Sequence, residues 1–324
     1  MAVSKRLQTA EKARRFVGLF LVGAVLAWPM MQTARAQVLP SAPPRDQAGQ
    51  FPLMTQARAC ELIGGKLQSV GVARCLRAGL RMSGSASVHG VPLLYRDFPA
   101  SSRRGVPQRI LLLGGIHGDE LSSVSIVFNW MDHLERSRFL PFHWRVIPNA
   151  NPDGLLQRKA TRGNANGVDL NRNFPTLDWQ REAMTYWEKR THRDPRRYPG
   201  PAALSEPETR WLVEQIRQFR PDAIVSVHAP FGLLDFDGPR EPPQRFGYLH
   251  LHQLGTYPGS LGNYAGVNLG LPVITLELPH AGIMPTPQQQ ARIWADMLTW
   301  LERNLPREAP LYFRLGQYPW EDVP

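Results

Sequence analysis

The chain has 324 residues, of which 43% are hydrophobic and 20% charged. That length and balance allow a large buried core and exclude a disordered or fibrous protein. The formal charge is +11, but no basic stripe interleaved with aromatics runs through the sequence, which argues against nucleic acid as a partner.

Residues 1–36 open with Lys5, Arg6, Lys12, Arg14 and Arg15, continue through the apolar run 16–31, and end on Ala34-Arg35-Ala36. This is the layout of a cleaved secretory signal peptide, and it points to a periplasmic or secreted protein. A membrane anchor is the alternative, although the apolar run is short for a span, which takes about 18–20 residues. The leader holds six of the 38 cations and one of the 27 anions, so the remaining chain carries +6. That mild excess is compatible with an anionic surface such as cell wall or lipid headgroups. Residues 37–55, rich in Pro, Gln and Ala, read as a flexible leader into the fold. Residues 56–108 read as an N-terminal elaboration that contains the only cysteines, Cys60 and Cys75. In an exported chain such a pair reads as a disulfide worth about 3 kcal/mol, with two free thiols as the alternative.

From 109 onward short apolar runs alternate with amphipathic ones. Strands are expected at 109–115, 143–148, 222–228 and 272–278, and helices at 119–135 and 205–219. Ser205 and Glu208 suggest a capping box on the second helix. A last helix starts from Thr286 as cap with Pro287 in its first turn. The pattern predicts an α/β fold: a mostly parallel or mixed twisted sheet with helices on both faces. Residues 109–304 form its catalytic domain, and 305–324 a tail of unknown role. Ligand sites in such sheets lie at the carboxyl ends of strands, where His117, His228 and Glu277 fall.

His117 and Glu120 form an H-x-x-E in a strand-to-helix turn, which can aim an imidazole and a carboxylate at one point. Taken alone, Glu120 could equally serve the helix N-terminus. With His228 the set becomes two histidines and one carboxylate, the donor set of a catalytic zinc with an open fourth position. Glu277 places a carboxylate inside an apolar strand. Such a group is paired, metal-linked or shifted in pKa, so it is either a salt-bridge partner of an arginine or a general base facing a zinc-activated water.

The stretch 148–174 adds N-P-D-G (Asn151 to Gly154) and G-V-D-L-N-R-N-F (Gly167 to Phe174). With His117, Glu120, His228 and Glu277 in the same order, the sequence resembles the zinc carboxypeptidases of the carboxypeptidase A superfamily from about 109 to 304. The resemblance implies that His117, Glu120 and His228 bind one zinc. It implies that Glu277 passes a proton from water to the leaving amine, and that Asn171 and Arg172 grip the substrate's terminal carboxylate. Arginine suits that grip because its planar fork matches a carboxylate. An upstream arginine should polarise the scissile carbonyl; Arg162 is favoured over Arg158. A tyrosine should cap the substrate carboxylate; Tyr257 is favoured over Tyr264.

Only 108 positions separate Glu120 from His228, and 49 separate His228 from Glu277. This leaves little room for the long specificity loops of the digestive enzymes. In that compactness, and in the run RGNANGVDLNRNFP, the chain is more similar to bacterial murein peptide amidases, which cut γ-D-glutamyl–diaminopimelate bonds. The expected function is therefore an exported zinc metallopeptidase that acts on murein stem peptides. The alternatives are a broad peptide carboxypeptidase, an N-acyl amino acid deacylase, or a non-catalytic wall-binding protein on the same scaffold. Within 231–247, Asp235 and Asp237 read as solvated loop aspartates, with contact to a cationic substrate group as the alternative.

Overall fold

The structure is a computed structural model that describes residues 53–101 and 106–305. The expected signal peptide, the leader before residue 53 and the tail beyond Leu305 lie outside these residues. The apolar runs form four parallel strands: β3 (Arg109–Gly114), β4 (His143–Ile147), β5 (Ala223–His228) and β9 (Val273–Glu277), ordered β4-β3-β5-β9. Antiparallel strands close both edges. β1 (Arg81–Ala86) and β2 (Pro92–Phe98) add on beside β4, and β6 (Leu233–Asp237) beside β9. The sheet is therefore mixed, with seven strands. The segment 56–108 supplies two of them, so the sheet continues across position 109. A separate two-residue ladder pairs β7 (Arg245–Phe246) with β8 (Leu249–His250).

Alternate residues of the central strands feed two cores. Ile110, Leu112, Val225, Val227, Ile274 and Leu276 pack with α3 (Leu121–Arg136) and α7 (Pro287–Asn304). Leu111, Leu113, Ile224 and Val273 pack with α6 (Pro207–Phe219) and the π-helical turn Gly262–Asn268. On this second face β5 turns polar toward its carboxyl end, running Ile224, Ser226, His228, and β9 does the same as Val273, Thr275, Glu277. The site lies on that polar half. No helix among the described residues is long and apolar enough to cross a membrane.

Local chemistry explains the element ends. Thr286 caps α7 through a capping box with Gln289. The box expected at Ser205 does not form. α6 starts at Pro207, a residue suited to the first helical position, with Glu206 at the cap. Ser205 donates instead to Glu206, and Glu208 turns inward to accept from Val88 N–H and the Asn164 amide. In the N-terminal part, Cys60 on α1 (Gln56–Lys66) and Cys75 on α2 (Val72–Arg77) form the disulfide.

Candidate metal centre and its cavity

The N-P-D-G turn builds one wall of the site. Asn151 caps the short helix α4 (Pro152–Leu156) by accepting from Gly154 N–H, and its amide donates to the carbonyls of Ile116 and Arg162. The chain around His117 lies directly on this turn: a Cβ at Gly118 would stand 2.2 Å from the Gly154 carbonyl carbon. Glycine at 118 is therefore a packing requirement of the H-x-x-E loop.

His117 follows β3 and His228 ends β5, the neighbouring strand. Glu120 precedes the first turn of α3. All three side chains are buried and converge. Glu120 Oε1 lies 2.8 Å from His117 Nδ1, Oε2 lies 3.1 Å from His228 Nδ1, and the two Nδ1 atoms are 3.2 Å apart. Asp169 Oδ1 sits 3.0 Å from His117 Nε2 and can only accept there, which leaves Nδ1 as a lone pair. Ser226 Oγ lies 3.0 Å from His228 Nε2 and can play the same part. Two ligands about 2.0–2.1 Å from a tetrahedral ion stand roughly 3.3 Å apart. The two Nδ1 atoms stand at about that spacing and each faces one oxygen of Glu120, so His117, Glu120 and His228 fit a zinc ion.

Burial opposes ionisation of Glu120, but the two imidazoles outweigh it and hold the carboxyl well below the ordinary range. Asp169 is likewise penalised by burial and then held low by Arg162 and His117. For His117, burial and Arg162 press the imidazole down, while Glu120 and Asp169 prevail and raise it.

Glu277 ends β9 in register with His228 and is 6% exposed. Burial, the largest effect, raises its carboxyl above the ordinary value; His228 opposes this and Glu120 adds to it. Among the described residues its carboxylate accepts one hydrogen bond, a long one from Phe231 N–H at 3.5 Å. Among the described residues no lysine or arginine pairs with it within 4 Å, so the salt-bridge alternative does not hold.

A cavity of about 210 Å³ joins this centre to Arg162, Asn171, Arg172 and Tyr257. Arg162 Nε donates to Asp169 Oδ2 at 3.0 Å, and Nη1 lies 3.6 Å from Glu120. Arg158 is exposed, and its carbonyl, with that of Gln157, receives Lys66 Nζ of α1. Asn171 Oδ1 accepts from Leu261 N–H at 2.8 Å, which leaves its amide NH2 for a ligand. Arg172 is buried, its guanidinium 4.4 Å from the centroid of the Tyr257 ring, and its Nε–H has no partner among the described residues. Tyr264 instead stacks on Phe174 in the apolar core.

The residues unforeseen in the sequence are Asp169, Ser226 and Arg197, the last of which lines the cavity beside Arg172, with Asp235 and Asp237 standing where solvated loop residues were expected. Asp169 lies inside the G-V-D-L-N-R-N-F run, where an acid flanked by apolar residues was its only signal. Asp235 and Asp237 belong to β6 and line the cavity; the prolines and glycines around them hid a short edge strand.

The family model for zinc carboxypeptidases matches residues 81–234. Murein peptide amidase A of Escherichia coli (strain K12) is 34% identical over 223 residues, covering 66% of this chain and 87% of that protein. The crystal structure of murein-tripeptide amidase from Escherichia coli O157 aligns with a TM-score of 0.50 and 29% identity, covering 71% of this chain and 94% of that one. Carboxypeptidase A from Helicoverpa armigera shares the fold with a TM-score of 0.54 at 16% identity, over 69% of this chain and 68% of that one.

Proposed function

Because the chain belongs to the zinc carboxypeptidase family and is a hydrolase, we propose that it is an exported murein peptide amidase that cuts the γ-D-Glu–diaminopimelate bond of stem peptides with one zinc. The observation that carries this reading is the convergence of His117, Glu120 and His228 beside Glu277, a buried carboxylate that no lysine or arginine pairs with among the described residues. The similarity to murein amidases supports the substrate class. The Cys60–Cys75 disulfide and the leader sequence support export.

His117, Glu120 and His228 would hold the zinc, which would supply Lewis acidity to polarise a carbonyl and acidify water. Asp169 and Ser226, behind the imidazoles, hold each Nδ1 toward the metal. Glu277 takes the proton from the attacking water on a carboxylate oxygen and returns it to the nitrogen of the leaving amine. Its desolvated setting raises its basicity for that task. Arg162, oriented by Asp169, faces the developing oxyanion, where one lost donor costs about 3–4 kcal/mol. Arg172 and the Asn171 amide take the α-carboxylate of the terminal residue, and Tyr257 covers the guanidinium. Holding that end fixes the scissile bond against the centre, so attack proceeds within an oriented complex.

The test is mass spectrometry of products from purified muropeptides, an α-linked C-terminal peptide and an N-acyl amino acid, with wild type and Glu277→Gln. Release of diaminopimelate from the tripeptide by wild type alone is the expected result. Cleavage confined to the α-linked peptide or the N-acyl amino acid would contradict the murein assignment.

A further inference from the structure

Three arginines line the cavity beside the metal centre, and two of them have a task above: Arg162 at the oxyanion and Arg172 at the terminal carboxylate. Arg197 is the third. It belongs to the short 3-10 turn Pro195–Arg197, which follows α5 (Trp179–Lys189). This turn is held from several sides. Asp194 caps it by accepting from Arg196 N–H at 2.9 Å, and the Asp194 carbonyl accepts from the Trp187 indole at 2.8 Å. Arg196 Nη1 donates to Asp119 Oδ2 at 2.7 Å, one residue before Glu120. Beyond the turn, the Tyr198 carbonyl accepts from Asp169 N–H at 2.8 Å, and Asp169 is the residue that orients Arg162 and His117. The root of Arg197 is therefore fixed between the H-x-x-E loop and the carboxylate grip.

The charges around this end of the cavity do not balance. Asp169 answers Arg162 at 3.0 Å. Arg172 has no carboxylate within 4 Å among the described residues. Arg197 meets only Asp194, its Nε 3.5 Å from the carboxylate, and 44% of its side chain is exposed. Burial disfavours the charged form of Arg172; Asp169 opposes this, and Arg162 and Arg197 add to it. One bound carboxylate would answer Arg172 and still leave Arg197 without its own. Neither Nη of Arg197 has a hydrogen-bond partner among the described residues. A guanidinium fork that lines the cavity with both Nη groups unengaged matches a second substrate carboxylate.

A γ-D-glutamyl peptide carries such a group. Linkage through the side-chain carboxyl leaves the glutamyl α-carboxylate free, a short methylene stem away from the scissile carbonyl. An α-linked peptide of uncharged residues has none at that place. We propose that Arg197 receives this free α-carboxylate, so that the cavity holds two carboxylates, one on each side of the scissile bond. That of the terminal residue lies on Arg172 and Asn171, and that of the glutamyl residue on Arg197. Arg197 thereby selects the γ-linked glutamyl residue itself, independently of the side chain of the terminal residue. The inference deepens the amidase reading and rests on it for the identity of that glutamyl residue.

The test measures kcat/KM of the zinc-loaded full chain, as wild type, Arg197→Gln and Arg197→Lys. The substrates are L-alanyl-γ-D-glutamyl-diaminopimelate, the same peptide with the glutamyl α-carboxylate replaced by a carboxamide, and an α-linked peptide with the same terminal residue. The ratio of carboxylate to carboxamide is insensitive to the fraction of active protein. Wild type should favour the carboxylate by on the order of tenfold, the size of one charge-assisted hydrogen bond at a partly exposed site. Arg197→Gln should bring the ratio near one by slowing the carboxylate peptide alone, and Arg197→Lys should keep part of the preference. Equal slowing of both γ-linked peptides in Arg197→Gln would mean that the residue only shapes the cavity, and would overturn the assignment. A wild-type ratio near one, or a ratio unchanged in Arg197→Gln, overturns it as well. Each of these results leaves the amidase reading in place, because the γ-linked peptides are cleaved. Wild type that cleaves only the α-linked peptide overturns both.

Discussion

The β3–α3 turn and the carboxyl end of β9 each bury a glutamate, Glu120 at 5% exposure and Glu277 at 6%. Their acidities move in opposite directions. Glu120 meets an imidazole on each oxygen and is held well below the ordinary range. Glu277 has, among the described residues, only a distant backbone N–H as hydrogen-bond donor, and it is raised. Equal burial thus yields a carboxyl held low in one place and one held high in the other, as the proposed ligand and base require; the partners decide, because desolvation always favours the neutral acid and only a neighbouring positive or hydrogen-bonding group reverses it.

The largest effect expected from this contrast is on turnover. Glu277→Gln keeps the shape and removes the base, so kcat should fall on the order of 10²–10⁴-fold in steady-state assays on a γ-D-glutamyl peptide; a loss under tenfold would deny Glu277 that role. Glu208 extends the contrast away from the centre. Burial, with Asp153 adding to it, raises this carboxyl from the ordinary 4.5 to about 7. The folded state therefore holds the proton more tightly than the unfolded chain. Stability from this group is complete below about 4.5 and falls as pH rises toward 7, by about 3 kcal/mol at 1.36 kcal/mol per unit. Urea unfolding at both ends of that window should show the decline in wild type and its removal in Glu208→Gln; parallel curves would mean that burial alone does not raise a carboxyl in this fold.

The disulfide provides a control remote from both glutamates. Cys60→Ala with Cys75→Ala should lower stability by about 3 kcal/mol in the same unfolding assay while zinc content stays constant. The smallest effect tests the metal side alone. Asp169→Asn weakens the group behind His117 and should lower zinc affinity about 10–100-fold, read by competition with a chelating dye. Unchanged affinity would mean that the hydrogen bond to Nε2 does not set the ligand.

Most of this contrast was legible in the sequence because it rests on strands that announce themselves. Continuous apolar runs at 109–114, 223–228 and 273–277 can only be buried, so a His or Glu at their ends stands out. The rest was hidden for physical reasons. β1 contains Ser83, Gly84 and Ser85 and lies at the sheet edge, where one partner suffices and no apolar alternation is required. β6 reads as a polar loop because its acids face a cavity rather than water. Asp169 gives no periodic signal, since its task is to hold two other side chains. The helix begins two residues past Ser205 because the ring of Pro207, which a capping-box pattern does not register, fixes where it can start.

The most direct test of the central claim is the zinc content per chain of Glu277→Gln beside that of Glu120→Gln, measured by elemental mass spectrometry on dialysed protein. The account predicts one zinc in wild type and in Glu277→Gln, with a large loss in Glu120→Gln. Equal retention in both variants, or loss of metal on changing Glu277, would contradict it.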